Sequence, residues 1–305
     1  MSLPAIALQK YNPLTTIITY DDFDRGACGW LDLTPNFTEP GHMHRATALD
    51  KSHWGAPMLS TSTFGLVGTH GSMDGTYSLK LATRPVANPY EEKPAPGSFS
   101  HALKRLSMHR TIQRLQMEMW YAYTPEQDRI GLGEKDIRAF GMFFDIQDHE
   151  YRWQPGIRYL NSVNGELAQR WQIMQAADVT DKQWAYGREG EWNIRGIDGL
   201  WYGERRKDGT ADAYSEVPGT HQQLVYNETD DKINWLYLRL LVDFAKREYI
   251  EFQSMDRVYS LRAQKPTLTR PYARIEGLLN PIIWLENDTN RRCFLNIDSV
   301  VISMD

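Results

Sequence analysis

Arg114, Gln116, Glu118 and Trp120 alternate with Leu115, Met117, Met119, Tyr121 and Tyr123 along residues 112–123. Successive side chains of an extended chain point to opposite faces, so this stretch predicts a strand with one apolar face and one polar face. The polar face carries a guanidinium, an amide, a carboxylate and an indole. Arg offers a planar fork to carboxylates or vicinal hydroxyls, and Trp and Tyr offer flat rings to pyranose faces. That is the chemistry of a surface that binds or cleaves sugars.

The pattern recurs. In 234–243, Trp235, Tyr237, Arg239 and Asp243 alternate with Leu236, Leu238, Leu240 and Val242. In 248–253, Tyr249, Glu251 and Gln253 alternate with Ile250 and Phe252; in 166–174, Arg170 and Gln172 face one way; in 139–147, Asp145 and Gln147 fall on the face opposite Phe140, Met142, Phe144 and Ile146. A groove built from such faces would bind an oligo- or polysaccharide through Arg114, Gln116, Trp120, Arg170, Gln172, Tyr237, Arg239 and Gln253. The competing expectation is an ordinary solvated sheet face with cross-strand Arg–Glu pairs, each worth about 0.2–1 kcal/mol. Cleaving a glycosidic bond takes two carboxylates, about 5–5.5 Å apart for retention and about 6.5–9.5 Å for inversion. Glu118 and Glu251 are the mid-strand candidates, with Asp145 a third.

Other residues could bind a metal or a partner. His42-Met43-His44 with Asp50 and His53 is a set that zinc could use, since His-x-His puts both rings on one side of a strand. Its competing reading is a loop that happens to hold histidines. Trp184, Tyr186, Trp192, Trp201 and Tyr202 crowd one long loop. They would form a wall over the groove, a satellite cluster that pins the loop, or a subunit interface in a homo-oligomer.

The elements that must position these groups are mostly strands. Strand signals fall at 15–20, 76–83, 112–123, 139–147, 156–163, 166–174, 234–243, 248–253, 257–262, 281–286 and 292–303. Asn164-Gly165 between two extended runs predicts a two-residue type I′ hairpin. Counting outward from that turn sets Tyr159 opposite Arg170 and Arg158 opposite Trp171. Helical periodicity is weak, with short candidates at 124–138 and 218–224. Irregular stretches at 28–73, 85–98 and 175–232 are long enough to be functional loops or lids. Many strands, few helices and long loops predict an all-β fold, an antiparallel two-sheet sandwich forming one domain over 1–305.

Composition narrows the function classes. A net charge of −5 over 305 residues argues against a nucleic-acid binder that relies on phosphate contacts. No apolar run reaches the length of a membrane-spanning helix. The N-terminus lacks a basic region and a long apolar core, so the expected location is cytoplasmic, or secreted with a leader removed. Two cysteines, Cys28 and Cys293, do not make a disulfide framework and are expected as free thiols. Ten Trp and 16 Tyr in a polar chain suggest stacking surfaces as well as core.

Several motifs also carry a resemblance. Asp22-Phe23-Asp24 followed by Gly29-Trp30, the run Asp74-Gly75-Thr76-Tyr77-Ser78-Leu79-Lys80-Leu81, and the ending from Phe294 to Ile302 resemble jelly-roll carbohydrate-binding modules. Trp235 to Asp243 running into Tyr249 to Phe252 resembles the paired strands of concanavalin A-like lectin/glucanase domains. As a whole the chain resembles an uncharacterised bacterial family of that superfamily. The resemblance implies a jelly-roll sandwich that recognises carbohydrate. It also implies a structural Ca²⁺ held by Asp24, Asp74 and Asp298 where the first and last strands meet an early loop, with carbonyls of the Gly75 loop completing its oxygens. Turn capping is the competing role for those aspartates. Two departures bear on activity. The Glu-x-Asp-x-x-Glu pattern of jelly-roll glucanases is absent. The Gln-x-His strand motif of jelly-roll polysaccharide lyases is also missing, because Ile173 and Met174 follow Gln172. A lyase acting on a uronate through Arg114, Arg170, Gln172 and Tyr237 would have to recruit a loop histidine such as His53, His70 or His101. Three readings stay open: a carbohydrate-binding protein, a glycoside hydrolase or lyase on the same groove, and an interaction protein with an aromatic interface.

Overall fold

The computed structural model describes residues 8–31, 54–64, 71–83, 98–108, 112–125, 133–175, 214–226, 234–262, 264–269 and 277–305. Among them the chain forms nineteen strands, numbered here in chain order, and one short 3-10 turn, Glu134–Asp136. The first sheet runs β16 (Arg257–Ser260), β15 (Glu248–Ser254), β14 (Leu236–Asp243), β8 (Arg114–Pro125), β19 (Cys293–Met304), β5 (Leu79–Ala82) and β4 (Met58–Leu59), with β1 (Thr16–Asp21) also on β19. The second runs β13 (Tyr214–His221), β12 (Glu166–Met174), β11 (Gly156–Val163), β9 (Ile137–Gln147), β18 (Leu278–Asn287), β6 (Phe99–Lys104) and β2 (Trp30–Leu31). Short flanking strands β3 (Trp54–Gly55), β7 (Leu106–Ser107), β10 (Arg152–Gln154) and β17 (Thr267–Thr269) attach to it. Pairing is antiparallel except for β3 with β6. This is the two-sheet jelly-roll sandwich.

The inner faces make the core. Leu115, Met117, Met119, Tyr121 and Tyr123 of β8 lie beside Leu236, Leu238, Leu240 and Val242 of β14. From the other sheet come Phe140, Met142, Phe144, Ile157, Tyr159, Trp171, Ile173, Ile283 and Leu285. The Phe140 ring sits 5.1 Å from Tyr121 and 4.9 Å from Tyr123, and Trp171 sits 5.5 Å from Phe252 of β15. Each fully buried large side chain stabilises the sandwich by roughly 1.5–3 kcal/mol. Tyr249 spans the two layers: its hydroxyl accepts from Gly156 N–H at 2.9 Å and donates to the Met174 carbonyl at 2.8 Å.

Two single-residue irregularities change what the alternation predicts. The turn at Asn164 (φ 54°) and Gly165 (φ 78°) is present, and Val163 pairs with Glu166. Beyond Ser162 a bulge follows on β12, where Gln169 has φ 46°. The register therefore slips by one: Tyr159 faces Trp171, Leu160 faces Arg170, and Arg158 faces Gln172. A bulge adds one unpaired residue and so returns both strands to matching faces. On β15, Glu251 faces Leu241 and Tyr249 faces Val242, which leaves Ile250 unpaired and turns Tyr249 into the core instead of onto the polar face.

Among the described residues neither expected helix forms; residues 126–132 of the first candidate lie outside them. Residues 137–138 of the first candidate belong to β9, and Tyr214–His221 is an edge strand containing Pro218 and Gly219. Cys28 and Cys293 are both free thiols.

Candidate functional site

The polar faces predicted to line one groove lie on two different sheets. Arg114, Gln116, Glu118, Trp120, Tyr237, Arg239, Glu251 and Gln253 sit on β8, β14 and β15 of the first sheet. Asp145, Arg170 and Gln172 sit on β9 and β12 of the second. The sandwich separates Asp145 from Glu118 and Glu251, so the three carboxylates do not converge.

The outer face of the first sheet is covered by the chain's own residues 8–14. Asn12 N–H donates to Glu118 Oε1 at 2.7 Å, and Gln116 Nε2 donates to the Asn12 carbonyl at 2.8 Å. Trp120 Nε1 donates to the Lys10 carbonyl at 3.2 Å, and Leu14 N–H donates to Ser303 Oγ at 2.9 Å. Tyr11 hydrogen-bonds Ser299. Beneath this strap Tyr237 donates to Glu118 Oε1 at 2.5 Å, and its ring lies 5.5 Å from that of Trp120. Burial, and then the Glu118 carboxylate beside it, push the Tyr237 hydroxyl far above the ordinary phenol range. Arg239 pairs with Glu251, and Gln253 donates to the Met255 carbonyl at 2.7 Å. Arg114, at the exposed end of β8, pairs with Asp305. Glu118 and Gln116 are 0 % and 1 % exposed.

The aspartates expected to hold calcium meet other partners. Lys10 Nζ lies 2.7 Å from Asp74 Oδ2 and 2.9 Å from Asp298 Oδ2. Asp298 Oδ1 accepts the N–H groups of Met73 and Asp74 at 2.7 and 2.9 Å. Asp24 Oδ1 accepts those of Thr76 and Tyr77 at 2.6 and 3.1 Å. The loop that was to offer carbonyl oxygens presents N–H donors, and an ammonium bridges two of the three carboxylates. As arranged, these residues do not fit a calcium ion, which takes about six to eight oxygens. Among the described residues no group of three or more His, Cys, Asp or Glu is placed to hold a metal. His42, His44, Asp50, His53 and His70, and the loop residues Trp184, Tyr186, Trp192, Trp201 and Tyr202, lie outside the described residues.

The second sheet carries an arrangement that alternation alone did not reveal. Directly opposed residues of antiparallel strands share a face. Trp284 opposes both His101 and Gly141, Gly141 opposes Arg158, Arg158 opposes Gln172, and Gln172 opposes Glu216. His101, Trp284, Gly141, Arg158, Gln172 and Glu216 therefore form one row across six adjacent strands. The neighbouring row, with Ile283, Met142, Ile157 and Ile173, belongs to the core, so the polar row faces outward. Arg158 Nε donates to Gln172 Oε1 at 2.6 Å, and its guanidinium lies 4.1 Å from the Tyr214 ring. The Tyr214 and Trp284 rings are 6.1 Å apart. Four residues along β9 from Gly141, on the same face, Asp145 accepts from Arg152 Nε and Nη2 at 2.7 and 2.8 Å and from Gln154 at 3.4 Å. Arg170 pairs with Glu216 at 2.9 Å at the partly exposed edge. Gly141 is required: a β-carbon there would collide with the Ile157 carbonyl oxygen and meet Arg158 at 3.0 Å.

Sequence reading picked Arg170, Gln172 and Asp145 from this face but missed Arg158, Trp284 and Tyr214, and placed His101 in a loop. His101 is on β6. The signal that could have found the row is the Asn164-Gly165 turn combined with the bulge at Gln169.

Fold and site together define a jelly-roll sandwich with a polar, aromatic row on the outer face of one sheet. Over residues 1–305 the chain matches, and belongs to, a family described as a domain of unknown function (DUF6772). No curated protein matches it. Among solved structures it is similar to a lectin from Bauhinia forficata in complex with GalNAc, at 8% identity over 82% of this chain and 97% of that chain, with a TM-score of 0.36. It is also similar to the metal-free carbohydrate recognition domain of Emp46p (10% identity, 88% and 94% coverage, TM-score 0.34) and to the alginate lyase Aly36B (6% identity, 80% and 92% coverage, TM-score 0.33).

Proposed function

We propose that the protein recognises an oligo- or polysaccharide across the outer face of the second sheet. The observation that carries this reading is the row His101–Trp284–Gly141–Arg158–Gln172, five adjacent strands in register. Strands lie about 4.8 Å apart, so the row spans roughly 19 Å, long enough for a chain of sugars rather than a single ring. Trp284 and Tyr214, 0 % and 4 % exposed, would give a sugar that reaches them flat apolar faces, Arg158, 1 % exposed, a planar donor fork, and Gln172 an amide that both donates and accepts. Gly141, without a side chain, sits between Trp284 and Arg158 at the centre of the row.

A second reading, an enzyme on the same row, is favoured by one observation. His101 flanks Trp284 on β6, and Tyr214 packs against the same indole at 6.1 Å. His and Tyr are the side chains that a proton-abstracting lyase uses. The hydrolase reading through Glu118 and Glu251 has less support, because Glu118 accepts from Asn12 and Tyr237 and Glu251 pairs with Arg239.

The test is isothermal titration of the full chain with a panel of neutral and uronic polysaccharides, with reducing ends and absorbance at 235 nm followed in parallel. Arg158→Ala and Gln172→Ala are expected to weaken binding at least about tenfold, a loss of about 1.4 kcal/mol each, while Arg114→Ala, at the exposed end of β8, does not. Absorbance at 235 nm that His101→Ala abolishes would establish the lyase. A panel without a single binder, or binding indifferent to both row variants, removes the proposal.

A further inference from the structure

On the first sheet the strap meets the floor largely through its main chain: one N–H on Glu118 and two carbonyls under Gln116 and Trp120. Tyr11, 9 % exposed, is the one buried side chain in 8–14. The floor is not fully satisfied by it. Glu118 Oε2 and Arg239 Nε are buried and have no hydrogen-bond partner, and the two residues are 0 % and 7 % exposed. They oppose each other directly on β8 and β14, so an unmet acceptor and an unmet donor sit side by side. A peptide main chain offers donors and acceptors on separate groups at fixed spacing. A hydroxyl donates and accepts through one oxygen and can serve both. Buried polar groups left unmade are costly, which favours an occupant that completes them. The indole of Trp120 against the Tyr237 ring adds a flat apolar wall to the same spot.

We propose that residues 8–14 are a displaceable strap occupying a second saccharide site, formed by Gln116, Glu118, Trp120, Tyr237 and Arg239. A polyhydroxylated ligand competes with the strap, and Lys10, anchored between Asp74 and Asp298, sets how often the strap leaves. The site is separate from the row on the second sheet and does not depend on it.

The test uses the full chain, hydrogen exchange of the Asn12 and Leu14 amides, and titration with cellohexaose, chitohexaose and mannohexaose. Lys10→Ala is expected to speed exchange of both amides about tenfold and to tighten binding of at least one hexasaccharide about fivefold, because a larger fraction of molecules is then binding-competent. Adding Arg239→Met is expected to abolish that gain, and Gln172→Ala to leave it intact. Where Lys10→Ala does not fold, Tyr11→Phe, which removes only the hydroxyl on Ser299, carries the same expectations. Faster exchange without tighter binding overturns the proposal, as does exchange unchanged in both strap variants. A gain that survives Arg239→Met, or that Gln172→Ala removes, overturns it too, since the sugar would then sit on the other sheet.

Discussion

The two outer faces of the sandwich are both polar and both buried, yet their polar groups find partners in different ways. On the first sheet Glu118, Gln116 and Trp120 bond to the main chain of residues 8–14, more than a hundred residues away in sequence, and Asp298 bonds to the Lys10 ammonium of the same segment. On the second, Arg158 and Gln172 bond to each other, as do Asp145, Arg152 and Gln154, along neighbouring strands. The difference teaches that period two marks an outward polar face without saying what covers it: solvent, a ligand or the chain itself. A face with cross-strand pairs among its own side chains is preorganised by the sheet where those pairs lie. One whose partners are a terminal segment depends on that segment staying.

The sharpest way to break this comparison is at the strap's anchor. Asp298 is 1 % exposed and accepts from two backbone N–H groups, Ser299 and the Lys10 ammonium. Asp298→Ala leaves those donors unmatched and a largely buried ammonium with one exposed partner, and should destabilise by about 3–5 kcal/mol in urea unfolding. Arg158→Ala on the second sheet removes the bond to the neutral Gln172 acceptor and the contact with the Tyr214 ring, and should cost less, about 1–3 kcal/mol. Equal losses would mean that the strap is no more critical to its face than one cross-strand pair is to the other. Gly141→Ala forces a β-carbon onto the Ile157 carbonyl and should cost about 1–3 kcal/mol while abolishing saccharide binding by the row. Unchanged binding in a folded Gly141→Ala protein would remove the row from the site.

Alkaline titration sharpens the comparison with a smaller effect. Tyr11, Tyr20 and Tyr237 cluster under and beside the strap. Burial, reinforced by Asp22, Asp298, Asp74 and Asp24, pushes Tyr20 up to about 12, and burial raises Tyr11 and Tyr237 further. The folded state therefore holds these protons more tightly than the unfolded chain, whose phenols ionise near 10. Their contribution is complete below pH 10 and declines as pH rises from there through about 12 for Tyr20. Urea midpoints should fall above pH 10, with exchange of the Asn12 amide rising over the same range. Tyrosinate absorbance at 295 nm appearing near pH 10 from all tyrosines of a fully folded protein would contradict the burial of this cluster.

The fold class was legible because period two is a local signal. All eleven expected strands occur, and β12 has the expected bounds, Glu166–Met174. Strands with few β-branched or aromatic residues were not: β13 hides Pro218 and Gly219 at a sheet edge, where a missing donor is tolerated, and β6 follows a proline-rich run. The site was legible only in part, for two physical reasons. Which sheet a strand joins is decided by long-range pairing, so Asp145, Arg170 and Gln172 read like Glu118 and Arg239 although the core separates them. Register turns on single residues: Gln169 and Ile250 each shift a strand by one, bringing Gln172 opposite Arg158 and taking Tyr249 into the core. The strap leaves no periodic trace at all, since its bonds run through main-chain atoms that every sequence has.

The smallest expected effect bears on the aspartates at the strap's anchor. Resemblance assigns them calcium, whereas the geometry gives them Lys10 and backbone donors. An ammonium is a tethered cation, bridging Asp74 and Asp298 and offsetting one of their two charges without any free ion. A structural ion that bound only the folded state would raise stability with its concentration, by about 2.7 kcal/mol at a hundredfold excess over its dissociation constant. Chelator, or added Ca²⁺, is therefore expected to leave the melting temperature of the full chain unchanged. In Lys10→Ala the paired aspartates lose their cation, and stability there should become sensitive to ionic strength, because the remaining repulsion between Asp74 and Asp298 is screened by salt. A chelator-induced fall in the wild-type melting temperature would show that an ion displaces the ammonium, and the strap would then be held by metal rather than by lysine.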